Sequence, residues 1–169
     1  MELNEIKDKY KKAHETYLKY KDINGTNNTE KQFIPEALQA LEEIFPNSTI
    51  IEIGGNFLNY LGVDFIVDSN GRQTFIDLKV CQHCHDKEVV IDAYKHNNDK
   101  WFPASDVKIN DTFLFINADN IILVPAEFIP IPPIEECWFY RRDLKRTTKK
   151  ATIDLSGIRK RVFPRKHTN

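Results

Sequence analysis

Apolar residues recur every three or four positions from residue 3 to residue 22, with Leu3, Ile6, Tyr10, Ala13, Tyr17 and Tyr20 along one stripe. That spacing is the helical period, so an amphipathic helix is predicted there. Gly, Asn and Thr break the pattern across 23–30 (INGTNNTE), which reads as a loop. The stripe resumes at Ile34, Leu38, Leu41 and Phe45. Pro35 sits in a first turn that tolerates it, and Pro46-Asn47 acts as a stop.

From Thr49 the pattern changes to that of strands. TIIEI is β-branched and ends at Gly54-Gly55; LGVDFIVD and QTFIDLKV follow, joined by Ser69-Asn70-Gly71. Asn-Gly favours a tight hairpin, so these three segments are predicted to form a meander. Residues 86–102 fit no single template and are readable as a short strand plus a helical turn. DTFLFIN (111–117) and NIILVPA (120–126) are expected to pair about Ala118-Asp119. The prolines of IPIPP (129–133) force an extended path. The fold class expected is α/β, with a central mixed sheet of about five strands flanked by helices.

At 169 residues the chain suits one domain, and 41% hydrophobic with 29% charged residues is an ordinary globular composition. Its longest apolar runs are short and proline-broken, far below the ~20 residues of a membrane span. The first residues, with Glu2, Glu5, Lys7, Asp8 and Lys9, lack the apolar core of a secretory signal, so a cytoplasmic location is expected. Cys81, Cys84 and Cys137 are odd in number and poorly spaced for a disulfide framework; reduced thiols are expected.

Charge divides the chain more sharply than hydropathy does. Residues 141–169 hold 11 Lys or Arg against Asp143 and Asp154, a balance of +9, while residues 1–140 hold 13 basic and 23 acidic side chains, a balance of -10. The net charge of -1 therefore conceals a basic stretch. The division expected is a core at 1–140 and a basic extension at 141–169, packed on the core or trailing from it. Such a stretch suits a phosphate backbone, with Arg141, Arg142, Lys145, Arg146, Arg159, Lys160 and Arg161 as nucleic-acid contacts. A solvated tail is the plain alternative.

FIDLKV carries the chemistry. On a strand, Phe75, Asp77 and Lys79 share one face while Ile76, Leu78 and Val80 share the other, a wholly apolar face that must be buried. If the turn centres on Asn70-Gly71, Asp64 comes to lie almost opposite Asp77. Two like charges opposed on neighbouring strands repel unless a cation lies between them, and Mg²⁺ suits a site of few carboxylates completed by water and phosphate oxygens. Lys79 adds a fixed cation beside them. An ordinary Asp77–Lys79 surface salt bridge would leave Asp64 as an unexplained like charge.

At Gly62-Val63-Asp64, twelve intervening residues and Asp77-Leu78-Lys79, the chain resembles the PD-(D/E)xK nuclease superfamily, whose fold is restriction-endonuclease-like. The resemblance covers roughly residues 33–82. It implies that Asp64 and Asp77 are metal ligands, with the backbone carbonyl of Leu78 or Val80 as a further one, and that Lys79 is the catalytic lysine. The implied cofactor is Mg²⁺ (or Mn²⁺), and the implied activity is phosphodiester hydrolysis by a DNA endonuclease. Members often carry a glutamate on the first core helix; Glu36, Glu42 and Glu43 are the candidates, with Glu36 preferred for its place in the first turn and Glu52 on TIIEI as a fourth. Gln82 resembles a glutamine that some members place beside the site. Cutting both strands with one active site would require a homodimer.

Two rivals accompany this reading. One is a nucleic-acid- or protein-binding module that keeps the fold without catalysis. The other is a zinc-stapled domain built on Cys81-Gln82-His83-Cys84-His85, although a tetrahedral site usually needs two ligand pairs. Trp101, Phe102, Trp138 and Tyr140 are readable as base-stacking side chains or, more simply, as packing.

Overall fold

The computed structural model describes residues 28–53, 58, 61–140 and 146–166. The helix expected at 3–22 lies outside them, as do Arg141, Arg142 and Lys145. A single helical turn, α1 (Asn28–Lys31), precedes helix α2 (Ile34–Ile44), which has Pro35 in its first turn as expected. α2 buries Ala37, Ala40 and Leu41, with Ile34 and Leu38 packed alongside.

The remaining elements are mostly strands. β1 (Thr49–Glu52), β2 (Phe65–Ser69) and β3 (Arg72–Cys81) form the antiparallel meander read from the sequence. Asn70 and Gly71 both take positive φ, 54° and 87°, as a type I′ hairpin turn demands. β6 (Thr112–Asn117) and β7 (Asn120–Pro125) form the second expected hairpin. The side-chain carbonyl of Asn117 caps that turn, accepting the backbone N–H of Asp119 and of Asn120 at 3.0 and 2.8 Å.

The ambiguous stretch resolves into two strands, β4 (Glu88–Asn97) and β5 (Lys100–Pro103). Asn98 and Asp99 turn between them with φ of 51° and 62°, the same turn made without glycine. The basic C-terminal stretch, read as an extension, contributes strands to both sheets: β9 (Thr148–Asp154) and β10 (Arg161–Pro164). With the short β8 (Trp138–Phe139), the strands among the described residues form two sheets. One has six strands in the order β1-β2-β3-β6-β7-β10, mixed because β3 and β6 run parallel; the other has four, β5-β4-β9-β8. The expectation of about five strands in one sheet is thus corrected to six plus four. Among the described residues one helix longer than a single turn flanks them.

These parts stack in three layers. α2 packs on one face of the six-stranded sheet through Phe65, Val67, Ile76, Leu78, Leu114 and Ile116. The other face meets the four-stranded sheet, with Phe115, Ile122 and Val124 against Val89, Ile91, Ala151 and Ile153. β3 runs through the middle, so its apolar face supports the helix and its charged face looks to the second sheet. No described helix is long and apolar enough to cross a membrane.

Candidate functional site

β2 pairs with β3 only as far as Phe65 opposite Ile76, and every pair in that ladder keeps the register expected from the hairpin. Asp64 lies one residue before β2 and continues the ladder by other means. Its N–H donates to Ile76 O at 2.8 Å, and its Oδ2 accepts the Leu78 N–H at 2.7 Å. The Asp64 carboxylate thereby stands where the next strand carbonyl would be. A residue in an antiparallel ladder turns its N–H and its C=O to the same neighbour, so the Leu78 carbonyl faces this edge too.

Asp77 is one of few buried polar residues among those described, 3% exposed between the buried Ile76 and Leu78. Lys79 lies on the same face, its Nζ 3.7 Å from Asp77 Oδ2. The second sheet supplies what the D-x-K pattern does not contain. Asp92, on β4 beside a bulge between Asp92 and Tyr94, places Oδ2 3.1 Å from Lys79 Nζ. Bulges re-aim side chains in this way. Lys150 on β9 reaches Asp92 Oδ1 at 3.3 Å. Lys108 bridges Asp77 Oδ2 at 3.4 Å and Asp92 Oδ2 at 3.6 Å. Lys95 on β4 donates to Thr148 Oγ1 at 3.0 Å.

Burial and mutual charge set the ionisation of this group. Asp64 is pushed well above the usual aspartate range by burial and then by Asp77 and Glu30. Burial alone would raise Asp92, but Lys79, Lys150, Lys95 and Lys108 hold it well below that range. Lys79 is held well above its ordinary value because Asp77, Asp92, Glu30 and Asp64 outweigh its burial. Lys95, with weaker compensation, is lowered by burial to about 8. Strong perturbations of opposite sign packed together are characteristic of functional sites.

The helix carboxylate in this field is Glu30 of α1. Its carboxyl is raised by burial and by Asp77 and Asp92, while Lys79 acts against the rise. It was hidden at the end of a stretch read as loop; the only available signal was an acidic residue just ahead of the helical stripe. The preferred candidate, Glu36, is engaged elsewhere. Arg165 grips it through Nε at 2.8 Å and through the terminal NH2 nitrogen at 2.6 Å. Glu43 pairs with Lys166 at 2.6 Å, and Glu42 and Glu52 are exposed. Gln82 is exposed in the turn after β3.

Of the basic candidates, Arg146 is exposed with its guanidinium 4.0 Å above the Phe139 ring. Arg159 is exposed, and Arg161 lies 5.2 Å over Phe163. Lys160 is turned inward, donating to the carbonyls of Leu155 at 2.8 Å and Ile158 at 3.1 Å. Trp101 packs between His96 and Phe139, Phe102 packs in a small cluster with Leu61 and Val63, Tyr140 lies under Lys150, and Trp138 is 42% exposed.

All three cysteines are free thiols, with Cys84 Sγ 2.7 Å from Cys81 Sγ. Among the described residues no group of three or more His, Cys, Asp or Glu side chains converges as a metal site, neither at the Cys81–His85 run nor at the aspartates. The donors at the aspartates are hard oxygens only. Such donors are of the kind taken by an ion that keeps most of its waters and binds one or two carboxylates.

The chain is mixed α/β, mostly sheet, with a buried carboxylate–lysine cluster between its two sheets. It matches no protein-family model, and neither curated proteins nor solved structures give a significant match.

Proposed function

We propose that this chain is a metal-dependent endonuclease of the PD-(D/E)xK kind, with a restriction-endonuclease-like core, which hydrolyses phosphodiester bonds in DNA. One observation carries the reading: a buried aspartate, Asp77, beside a part-buried one, Asp64, at the end of a strand ladder, the second pushed toward its neutral form by burial and by the first, with a lysine beside them. Two carboxylates this close cost free energy when both are ionised, and a divalent ion would turn that cost into binding. Asp64, Asp77 and the Leu78 carbonyl would hold Mg²⁺ or Mn²⁺, which when bound supplies Lewis acidity toward the scissile phosphate.

The remaining chemistry belongs to the chain. Lys79, fixed between Asp77 and Asp92, presents a permanent positive charge where a phosphoryl transition state gains negative charge. Glu30 contributes the helix carboxylate expected of the superfamily, its carboxyl raised by burial so that it holds a proton more readily than a free glutamate does. The exposed Arg146 and Arg159 are available to a nucleic-acid backbone.

A second reading, a nucleic-acid- or protein-binding module without catalysis, is favoured by the lysines that already neutralise Asp77 and Asp92. A cleavage screen over duplex, single-stranded and branched DNA and over RNA, each with Mg²⁺ or Mn²⁺, separates the two. The nuclease reading expects Mg²⁺- or Mn²⁺-dependent cutting that is lost in Asp77→Asn. Binding without cutting of any substrate under either ion would leave the module.

A further inference from the structure

Lys108 belongs to none of the strands that carry the D-x-K pattern, yet it reaches the centre of the cluster. It follows a 3-10 turn at Ala104–Val107, and its side chain is only 11% exposed. Its stem crosses Gly62. A Cβ at position 62 would stand 3.0 Å from Lys108 Cδ and 3.3 Å from Cγ, and Gly62 has φ of +81°, where side chains are strained. The next residue is pinned, since Ile109 N–H donates to Leu61 O at 2.9 Å. A glycine two residues before Asp64 therefore makes the passage through which an ammonium enters the site.

We propose that Lys108 is a resident cation, holding the gap between Asp77 and Asp92 until a divalent ion arrives and then turning its ammonium to the substrate phosphate. The inference rests on the nuclease reading and assigns this lysine a substrate-contacting role within it. Its contacts at 3.4 and 3.6 Å are longer than the ~2.7–2.9 Å of a direct charge-assisted hydrogen bond, so neither carboxylate holds it firmly. Asp92 does not depend on it, because Lys79 at 3.1 Å and Lys150 at 3.3 Å remain. An ion beside Asp77 repels the ammonium strongly in a site this dry, and a flexible lysine stem can follow. The nearest new counterion is then the phosphate that the ion itself attracts. The divalent ion and Lys108 compete for Asp77, while Lys108 and the phosphate cooperate once the ion is in place.

The test uses the full chain with Lys108→Met, whose unbranched stem keeps the packing over Gly62, and Lys108→Gln as a second variant with a polar end. Mn²⁺ binding is read by titration calorimetry, and binding of a short DNA oligonucleotide is read by fluorescence anisotropy with and without Ca²⁺. Both variants are expected to bind Mn²⁺ roughly tenfold more tightly than the parent, the effect of removing one competing charge. They should bind the oligonucleotide several-fold more weakly with Ca²⁺ and unchanged without it. Unchanged or weaker Mn²⁺ affinity in both variants would overturn the proposal while leaving the nuclease reading standing. Absence of Mn²⁺ binding from the parent and both variants would remove that reading and the proposal with it.

Discussion

Glu36 and Arg165 meet fork to fork at 2.6 and 2.8 Å, whereas Asp77 and Asp92 share Lys79, Lys108 and Lys150 at 3.1 to 3.7 Å. The first is a finished ion pair. Each partner saturates the other in planar, bidentate geometry, and it ties α2 to the strand end at Arg165. The second is a shared arrangement in which three ammoniums serve two carboxylates while a third carboxylate, Asp64, is driven toward its protonated form by burial and then by Asp77 and Glu30. Saturation makes a joint; sharing leaves each ammonium with longer and less directed contacts.

The two ion-pair groups should differ most at the reaction. Asp77→Asn and Lys79→Ala are each expected to lower Mg²⁺-dependent cleavage by about 100-fold or more with circular dichroism unchanged, while Glu36→Gln cuts at the parent rate. Stability gives the next largest contrast. Asp92→Asn strands buried ammoniums and should cost ~3–5 kcal/mol in urea unfolding. Glu36→Gln loosens a part-exposed pair and should cost at most about 1 kcal/mol.

The smallest effect is a slope. Asp64 titrates well above 3.8 in the folded chain, so between pH 3.8 and that raised value the folded state keeps a proton the unfolded state has released. Its contribution to stability therefore falls as pH rises through this window. Metal-free Asp64→Asn should lose that part of the slope in unfolding experiments, and an unchanged pH profile would deny that burial and its acidic neighbours raise the Asp64 carboxyl.

The sequence disclosed the six-stranded sheet better than the four-stranded one, for physical reasons. Asn70-Gly71 announces its hairpin, and the alternation in FIDLKV separates a helix-facing side from a charged side, so Asp64, Asp77 and Lys79 were legible together with their register. β4 and β5 turn on Asn98-Asp99, where two side chains adopt a conformation that glycine usually signals. β9 and β10 were masked by lysines and arginines whose apolar neighbours, Ala151, Ile153 and Phe163, are thinly spaced. With the second sheet went Asp92 and Lys150. Glu36 was attractive because of its place in the helix, but its partner lies 129 positions away, beyond the reach of any local pattern.

The central claim is that the Asp64–Asp77 pair is a divalent-cation site. Calorimetric titration of Mn²⁺ into the parent chain and into Asp64→Asn tests it without requiring a known substrate. One saturable site is expected in the parent, lost or weakened at least about tenfold in the variant. Equal Mn²⁺ binding by both proteins, or none by either, would contradict it.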